Sequence, residues 1–380
     1  MKARSVFWGA TALIVHTHVT YPLALAALER LRGRREGALP LPGFVPTVAL
    51  VIAAHDEEQV IATKVANALA LDYPREKLQV VVASDGCSDR TVAAATEAGA
   101  DLVLDLPRGG KIATQNAAVA ECTADLVAFS DANAFWEPGA LRELVAPFYE
   151  DDVGYVCGQV RFLDAAGDNE EGAYWRYEMW VRSLESGQAG VTAGNGGIYA
   201  VRRDLYPELG PSRSHDLNLP FGLAKRGYRS LYAPTAIAEE KLVPTIEGEF
   251  ERKRRMMRGI WDIVVTDRMW DIRGYSPTYA FEILSHRIAR YGSPFLHALA
   301  LAANLLLLRR ARIYTLTLLA QLALIAATAG PEPSAAAGPL GRPLRLLRYY
   351  GLVTASIALG TLDRLRDGPP AAWEKSEGTR

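Results

Sequence analysis

Two stretches of the chain, TVALVIAA at residues 47–54 and LQVVVASD at residues 78–85, share one pattern. Each is a short, mostly apolar run rich in β-branched residues, which is typical of parallel strands that are buried on both faces. A segment with helical character follows each run, at residues 57–70 and at residues 89–98. The central part of the chain therefore begins with two strand–helix units.

The same alternation continues further along the chain. DLVLDL at residues 101–106 and DLVAFSD at residues 125–131 read as a third and a fourth strand, and residues 111–121 between them read as a helix. Strands that alternate with helices of this length form βαβ units. We therefore expect an α/β fold in which a mostly parallel sheet is flanked by helices.

Length, charge and cysteine content narrow the class of protein. The 380 residues suit one large domain with added segments. The formal net charge of −1 gives no overall field that would attract nucleic acid, so no nucleic-acid partner is expected. Cys87, Cys122 and Cys157 are widely spaced and form no Cys-x-x-Cys pair, which predicts reduced thiols rather than a disulfide framework or a zinc site.

The N-terminal segment has the features of a membrane anchor. Residues 6–28 are almost entirely apolar, and a helix needs about 20 such residues to cross a bilayer. An arginine cluster at residues 30–35 follows the run, whereas a cleaved signal peptide carries its charge before it. We expect a retained anchor with the remainder of the chain on the cytoplasmic side. The alternative is a helix that lies in the membrane interface.

The far end of the chain is apolar again, at residues 294–308, 313–329 and 349–362. Each stretch is short for a spanning helix, but together they predict a small helical membrane domain. We therefore expect a multi-pass protein of the inner or plasma membrane. The predicted segments are an anchor at 1–35, a linker at 36–46, a catalytic domain at 47–265, an interfacial segment at 266–293, membrane helices at 294–365 and a polar tail at 366–380.

Polar residues follow each predicted strand, at the sheet edge where open parallel sheets bind their ligands. They are Asp56 and Glu57 after the first strand, Asp85 and Asp89 after the second, Lys111 after the third, and Asp131 and Asn133 after the fourth. Aspartate also caps helices, and this role is preferred for Asp89. For Asp56 a cap and a ligand contact are equally open. Four polar positions along one edge predict a binding site there.

Asp131 and Asn133 are separated by one residue at the end of an apolar strand. This spacing places two oxygen donors near one point, and Mg²⁺ and Mn²⁺ bind oxygen ligands together with diphosphates. The pair therefore predicts a divalent-cation site, although so short a motif also occurs by chance.

The middle of the chain adds three features. GNGGIYAVRR at residues 194–203 predicts a glycine-rich turn that a ligand can approach closely. SHDLNLPF at residues 214–221 places Asp216 at the start of a helix, where it serves either as a cap or as a base for an acceptor hydroxyl. EFERKRRMMRGIW at residues 249–261 fits either a solvated helix or a helix on a membrane surface.

In this order, the motifs resemble glycosyltransferase family two, the inverting enzymes with a GT-A fold that include cellulose and hyaluronan synthases. The resemblance covers roughly residues 47–262 and rests on VIAAHDEE, VVASDGCSDRT, PRGGK, FSDANA, GNGGIYAVRR, SHDLNLP and EFERKRRMMRGIW. FEILSHRIARYGSPF at residues 281–295 is similar to the stretch that precedes the C-terminal helices in the bacterial membrane-bound branch. The resemblance implies a GT-A nucleotide-sugar-binding fold.

The resemblance also implies roles for single residues. Asp216 matches the catalytic base, and Asp131 with Asn133 matches the D-x-D element that contacts the diphosphate and a divalent cation, Mg²⁺ or Mn²⁺. The residues that it implies for nucleotide-sugar binding are Asp56, Glu57, Asp85, Lys111, Asp131, Asn195, Gly196, Arg255 and Arg258.

The chain departs from the family pattern in three places. Asn133 keeps an oxygen ligand but removes the second charge of D-x-D, and His215 replaces the acid that usually precedes the base. Residues 255–259 read RMMRG, so the Q-x-x-R-W element of processive enzymes lacks its Gln and its Trp. These differences argue against processive, cellulose-like synthesis.

We therefore expect a membrane-bound inverting glycosyltransferase that moves a sugar from a nucleotide-diphosphate-sugar donor to a lipid-linked or polysaccharide acceptor at the cytoplasmic membrane face. Membrane lipids and glycan-export proteins are the further candidate partners. The alternative is a catalytically inactive sugar-nucleotide-binding subunit of a membrane complex, which Asn133 and His215 suggest. A nucleotidyltransferase is disfavoured, because its glycine-rich basic loop would stand where this chain reads AHDEEQ at residues 54–59.

Overall fold

The computed structural model describes residues 2–34, 43–163, 172–241, 246–331 and 341–368. Most of the predicted linker and of the predicted polar tail lies outside these residues. Within them, the strands are β1 (Val48–Ala54), β2 (Leu78–Asp85), β3 (Leu102–Leu106), β4 (Leu126–Asp131), β5 (Phe135–Trp136), β6 (Val153–Leu163), β7 (Tyr199–Arg202) and β8 (Arg229–Lys241).

The helices of the sheet region are α3 (Ile61–Leu69), α4 (Thr91–Glu97), α5 (Lys111–Ala120), α6 (Ala140–Val145), α7 (Ala173–Ser186), α8 (His215–Lys225) and α9 (Ile246–Trp261). The chain ends carry α1 (Lys2–Val15), α2 (Tyr21–Arg32), α10 (Pro277–Glu282), α11 (Ala289–Tyr291), α12 (Ser293–Leu307), α13 (Arg312–Ala329) and α14 (Gly341–Asp367). Three π-helical segments interrupt these helices, at His16–Thr20, Asp262–Thr266 and Ile283–Ile288.

The strands listed above form one sheet with the order β3-β2-β1-β4-β7-β6-β8-β5. β3, β2, β1 and β4 run parallel to one another. β7 is antiparallel to β4 and β6, β8 is parallel to β6, and β5 closes the edge antiparallel to β8. The four strands expected from the sequence thus form the parallel half of a mixed sheet.

Helices cover both faces of this sheet, so every residue of β1 is buried. Side chains alternate between the two faces of a strand. Leu50 and Ile52 pack in a cluster with residues of α3 and α6, whereas Ala49 and Val51 pack with residues of α5, α7 and α8. Burial on both faces explains why β1 reads as a continuous apolar run in the sequence.

The apolar ends of the chain form helices that pack against the sheet region. Lys2–Arg32 and Arg312–Ala329 are long and apolar enough to cross a membrane by length and composition, and Ser293–Leu307 is a shorter apolar helix. Inside the N-terminal helix, the Thr17 hydroxyl donates a hydrogen bond of 2.6 Å to the carbonyl oxygen of Ser285. This contact fixes the N-terminal helix to the π-helical segment after α10.

The predicted apolar stretch at 349–362 lies within α14, which packs along α9. The indole nitrogen of Trp261 donates to the Thr361 hydroxyl at 2.7 Å. Arg254 and Asp363 form an ion pair at 2.6 Å. The C-terminal helix is therefore attached to the basic helix predicted at residues 249–261, which α9 contains.

Candidate active site

Four of the predicted site residues meet at the carboxyl end of β4. Asp131 is the last residue of that strand, and its carboxylate forms an ion pair with Lys111, the first residue of α5. A Cβ added to Gly196 would lie 3.5 Å from Asp131 Oδ2, 3.5 Å from Lys111 Nζ and 3.9 Å from Asp216 Oδ1. Because glycine has no side chain, the space between these three charged groups stays open.

The loop that carries Gly196 is shaped by hydrogen bonds from buried side chains. The Asn195 amide nitrogen donates to the carbonyl oxygen of Gly158 at 2.6 Å, and its amide oxygen accepts from the N–H of Ile198 at 3.1 Å. The indole of Trp136 donates to the carbonyl oxygen of Gly197 at 3.0 Å. The side chain of Asn195 thus fixes the loop that was expected to contact the donor.

Asp216 is the second residue of α8, whose cap position belongs to Ser214. Its backbone carbonyl accepts a hydrogen bond of 2.8 Å from the N–H of Gly194, and Arg182 donates to the carbonyl of Gly194 at 3.0 Å. Burial raises the pKa of the Asp216 carboxyl, and the positive charge of Lys111 opposes this shift. A carboxylate with a raised pKa is suited to accept a proton.

His215 turns away from the charged groups and into an aromatic cluster. Its Nδ1 lies 2.6 Å from the Tyr199 hydroxyl and its Nε2 lies 3.0 Å from the Tyr206 hydroxyl. Burial, helped by the charge of Lys111, lowers the pKa of His215 to about 3. The imidazole is therefore neutral at physiological pH, and it brings no charge of its own to Asp216.

Asp85 is completely buried and holds the loop that leads to Lys111. One of its carboxylate oxygens accepts hydrogen bonds from the backbone N–H groups of Gly109 at 2.7 Å and Gly110 at 2.9 Å. The other lies 3.4 Å from a guanidinium nitrogen of Arg108. Asp85 therefore sets the position of the glycine-rich loop beside the expected nucleotide site.

Asp56 and Glu57 connect the loops that follow β1 and β2. The Asp56 carboxylate accepts a hydrogen bond of 2.7 Å from the N–H of Ser88, and the N–H of Glu57 donates to the Thr91 hydroxyl at 2.7 Å. α3 begins only at Ile61, so Asp56 does not cap it. Asp89 accepts from the N–H of Thr91 at 3.0 Å, although the N-cap position of α4 belongs to Arg90.

The basic helix α9 places its arginines differently from the expectation. Arg258 donates a hydrogen bond of 2.8 Å to the carbonyl oxygen of Gly368, just beyond α14. Arg255 is half-buried on the same helix. Arg252, which the motif did not single out, acts electrostatically on both Asp216 and Glu240. Arg252 therefore acts on the catalytic candidate, as Arg182 of α7 also does, and it lies one to two turns nearer the start of α9 than Arg255 and Arg258.

Two further charged residues beside Asp131 were also missed in the sequence. The completely buried Lys64 donates a hydrogen bond of 2.5 Å to the carbonyl oxygen of Ala134, and burial lowers the pKa of its ammonium to about 7. Burial and the charge of Asp131 raise the pKa of Glu240 on β8. Neither residue belongs to a short motif, since each reaches the site from a distant part of the chain.

The donor atoms at the end of β4 suit a divalent cation. The Asp131 carboxylate and the Asn133 amide follow one another at this turn, and both offer the oxygen ligands that Mg²⁺ and Mn²⁺ prefer. Elsewhere, among the described residues, potential ligand atoms of His55, Asp56 and Cys87 lie within 4.8 Å of one another. The oxygen pair at β4 fits a hard cation better, because it offers oxygen ligands without a thiol.

The mixed sheet with helices on both faces is that of the GT-A fold. A family model described as glycosyltransferase-like family 2 matches residues 46–259, more than half of the chain. The chain belongs to this family, and it is a glycosyltransferase.

A solved structure supports the fold over nearly the whole chain. It is the mannosyltransferase PcManGT from Pyrobaculum calidifontis, determined in complex with GDP-Man and Mn²⁺. The TM-score is 0.71 at 21% sequence identity, and the match covers 94% of this chain and 99% of the other. The similarity therefore extends to the helices at both ends.

Two groups of sequence relatives have named activities. A β-monoglucosyldiacylglycerol synthase from Trichormus variabilis is 27% identical over 77% of this chain and 69% of its own length. A poly-β-1,6-N-acetyl-D-glucosamine synthase from Staphylococcus aureus is 22% identical over 58% of this chain and 56% of its own length. The match thus spans little more than half of the staphylococcal protein.

Proposed function

We propose that the chain is a membrane-anchored, inverting enzyme that transfers a sugar from a nucleoside-diphosphate donor to a lipid-linked or glycan acceptor at the cytoplasmic membrane face. The observation that carries the proposal is the meeting of Asp131, Lys111 and Asp216 around Gly196. Three cationic side chains, Lys111, Arg182 and Arg252, act on the same acid that a base-catalysed transfer requires.

In the proposed reaction, Asp216 accepts the proton of the acceptor hydroxyl as the hydroxyl oxygen attacks the anomeric carbon of the sugar. A new carbon–oxygen bond forms while the bond from that carbon to the diphosphate breaks, and the nucleoside diphosphate leaves with the bonding electrons. Lys111 and Arg252 place positive charge where negative charge develops on the diphosphate. A divalent cation held by Asp131 and Asn133 would neutralise part of that charge.

The proposed acceptor class follows from the chain ends and the relatives. Residues 47–265 would form the catalytic part, and the apolar segments 1–35 and 294–365 would hold it at the bilayer with 266–293 at the interface. A lipid-linked acceptor reaches such an enzyme by diffusion in the same membrane. The names of the relatives, a diacylglycerol glycolipid synthase and a polysaccharide synthase, support acceptors of these two kinds.

The test is a donor screen with the purified full chain in detergent micelles, measuring release of nucleoside diphosphate. We expect release from one nucleotide sugar, its loss in a chelator and its return with Mn²⁺ or Mg²⁺. Asp131→Ala should lower the rate more than Asn133→Ala, because only the aspartate brings charge to the cation. If the chain releases nucleoside diphosphate from no donor, the inactive sugar-nucleotide-binding subunit becomes the better interpretation. Full activity in the presence of the chelator would show that the reaction does not depend on a divalent cation.

A further inference from the structure

A further acid beside the site, Glu240, lies far from Asp131 in sequence. β5 pairs antiparallel with β8 so that Phe135 is opposite Glu239 and Trp136 is opposite Ala238. One step further along this pairing, Glu240 is level with Ala134. That residue directly follows Asn133, where the cation motif lacks its second carboxylate.

The glycine loop brings the Glu240 side chain next to the catalytic groups. A Cβ added to Gly197 would collide with Glu240 Oε1 and would lie 3.5 Å from the Cβ of Ala134. The neighbouring Gly196 faces the carboxylates of Asp131 and Asp216. Two consecutive glycines therefore leave room for three carboxylates, and Glu240 occupies the place beside the end of the cation motif.

Glu240 is not neutralised by a direct partner. Its carboxylate forms no hydrogen bond and no ion pair with the described residues, although it interacts electrostatically with Asp131, Lys111, Arg252 and Lys64. The ammonium of Lys64 is engaged elsewhere, since it donates to the carbonyl oxygen of Ala134 at 2.5 Å and lies 3.4 Å from the Asn67 amide oxygen. The Glu240 carboxylate is thus available to a cation.

We propose that Glu240 supplies the second negative charge of the cation site, in place of the acid that Asn133 lacks. The inference rests on the proposed metal-dependent transfer. Affinity for a hard cation rises with the number of charged oxygen ligands, so a site with Asp131 and one amide alone would bind the cation weakly. In this proposal the second carboxylate of the cation site comes from Glu240 on β8, and not from the position of Asn133 in the motif.

The experiment measures Mn²⁺ binding by the purified full chain, from the electron paramagnetic resonance signal of free Mn²⁺ and without any donor. Glu240→Gln should weaken Mn²⁺ binding by about 10–100-fold, the range found when groups that support a metal site are removed. Glu239→Gln is the matched control, because Glu239 pairs with Arg161 at 3.2 Å and should leave Mn²⁺ binding unchanged.

A second substitution separates a charge effect from a packing effect. Asn133→Asp in the Glu240→Gln background returns the missing charge at the motif, and it should restore Mn²⁺ binding. Glu240→Asp keeps the charge and should bind Mn²⁺ within a few-fold of the unmodified chain. If Glu240→Gln does not fold, a folded Glu240→Asp with normal Mn²⁺ binding still supports the proposal.

Three results would overturn the inference. One is a folded Glu240→Gln chain that binds Mn²⁺ as the unmodified chain does, which leaves the transferase function untouched. Another is weak binding by Glu240→Asp, which would give Glu240 a packing role. The third is sugar transfer by the unmodified chain in a chelator, which would show that the reaction needs no cation. The donor screen would give this result before any variant is made.

Discussion

Lys111 and Asp216 both lie close to Gly196, and their charges act on each other. The ammonium lowers the pKa of the Asp216 carboxyl, while burial raises it. Asp131 holds Lys111 at this position through an ion pair. The protonation of the proposed base is therefore set by the cost of burying a charge against neighbouring cations, of which Lys111 has the largest effect.

This balance predicts a pH effect. A base must be deprotonated, so the transfer rate falls as the pH drops through the pKa of Asp216. Lys111→Met removes the charge that lowers this pKa, so the acidic limb of the kcat/KM profile should move to higher pH. Lys225→Met, at the other end of α8, should leave the limb in place. If the acidic limb of Lys111→Met lies at the same pH as that of the unmodified chain, the charge of Lys111 does not control the pKa of the base.

At the scale of elements, the helix α9 has two distinct functions along its length. Arg252, near the middle of the helix, acts on the charges of the site, whereas Arg254 and Arg258 bind the end of α14. The packing is close, since a Cβ on Gly360 of α14 would lie 2.8 Å from the Cβ of Met257. We therefore propose that Arg252 serves catalysis, whereas Arg254 and Arg258 attach the C-terminal helix.

The two functions predict different results for two arginine variants. Arg252→Gln should lower kcat/KM by about tenfold or more with little change in the melting temperature, since it removes charge beside the diphosphate. Arg258→Gln should lower the melting temperature more than the catalytic rate, because its hydrogen bond joins α14. Sugar transfer and thermal unfolding of both variants provide the check. If Arg258→Gln instead lowers kcat/KM and Arg252→Gln lowers the melting temperature, Arg258 is the residue that contacts the diphosphate.

The elements also show how far the sequence could be interpreted. Continuous apolar runs predicted β1 to β4, because burial on both faces leaves that mark. β5 has only two residues and is too short to produce such an apolar run, so its pairing with β8 was not predicted. Glu240 and Lys64 were missed for the same reason, since the register of distant strands and helices brings them to Asp131. Short motifs predicted Asp131, Lys111 and Asp216, because their spacing is local.

At the scale of the molecule, the apolar ends are parts of one structure with the sheet region. Besides the contact of Thr17, the Tyr21 hydroxyl donates to the buried carboxylate of Glu185 at 2.7 Å. Glu185 in turn accepts from the N–H of Thr192 at 3.1 Å, three residues before Asn195 in the glycine loop. The N-terminal helix is thus joined to the glycine loop through one buried acid.

Membrane attachment is therefore tested on the full chain, since removal of the anchor would leave Glu185 without the Tyr21 hydroxyl. After an alkaline carbonate wash, the full chain should sediment with the membranes, because a spanning helix is not released by high pH. A soluble cytoplasmic protein in the same lysate is the control. Full release of the chain into the supernatant would contradict the assignment of the apolar ends.

The central claim is that this molecule is an enzyme in which Asp216 is the base, and one substitution tests it. Asp216→Asn preserves the shape of the side chain but removes its ability to accept a proton. Sugar transfer and donor affinity are measured for this variant, with Asp204→Asn as the control at an exposed aspartate.

We predict that Asp216→Asn binds the donor normally and transfers sugar about 10²–10⁴-fold more slowly, the usual contribution of general-base catalysis. Asp204→Asn should transfer sugar at the unmodified rate. Transfer by Asp216→Asn at a rate near that of the unmodified chain would contradict the account.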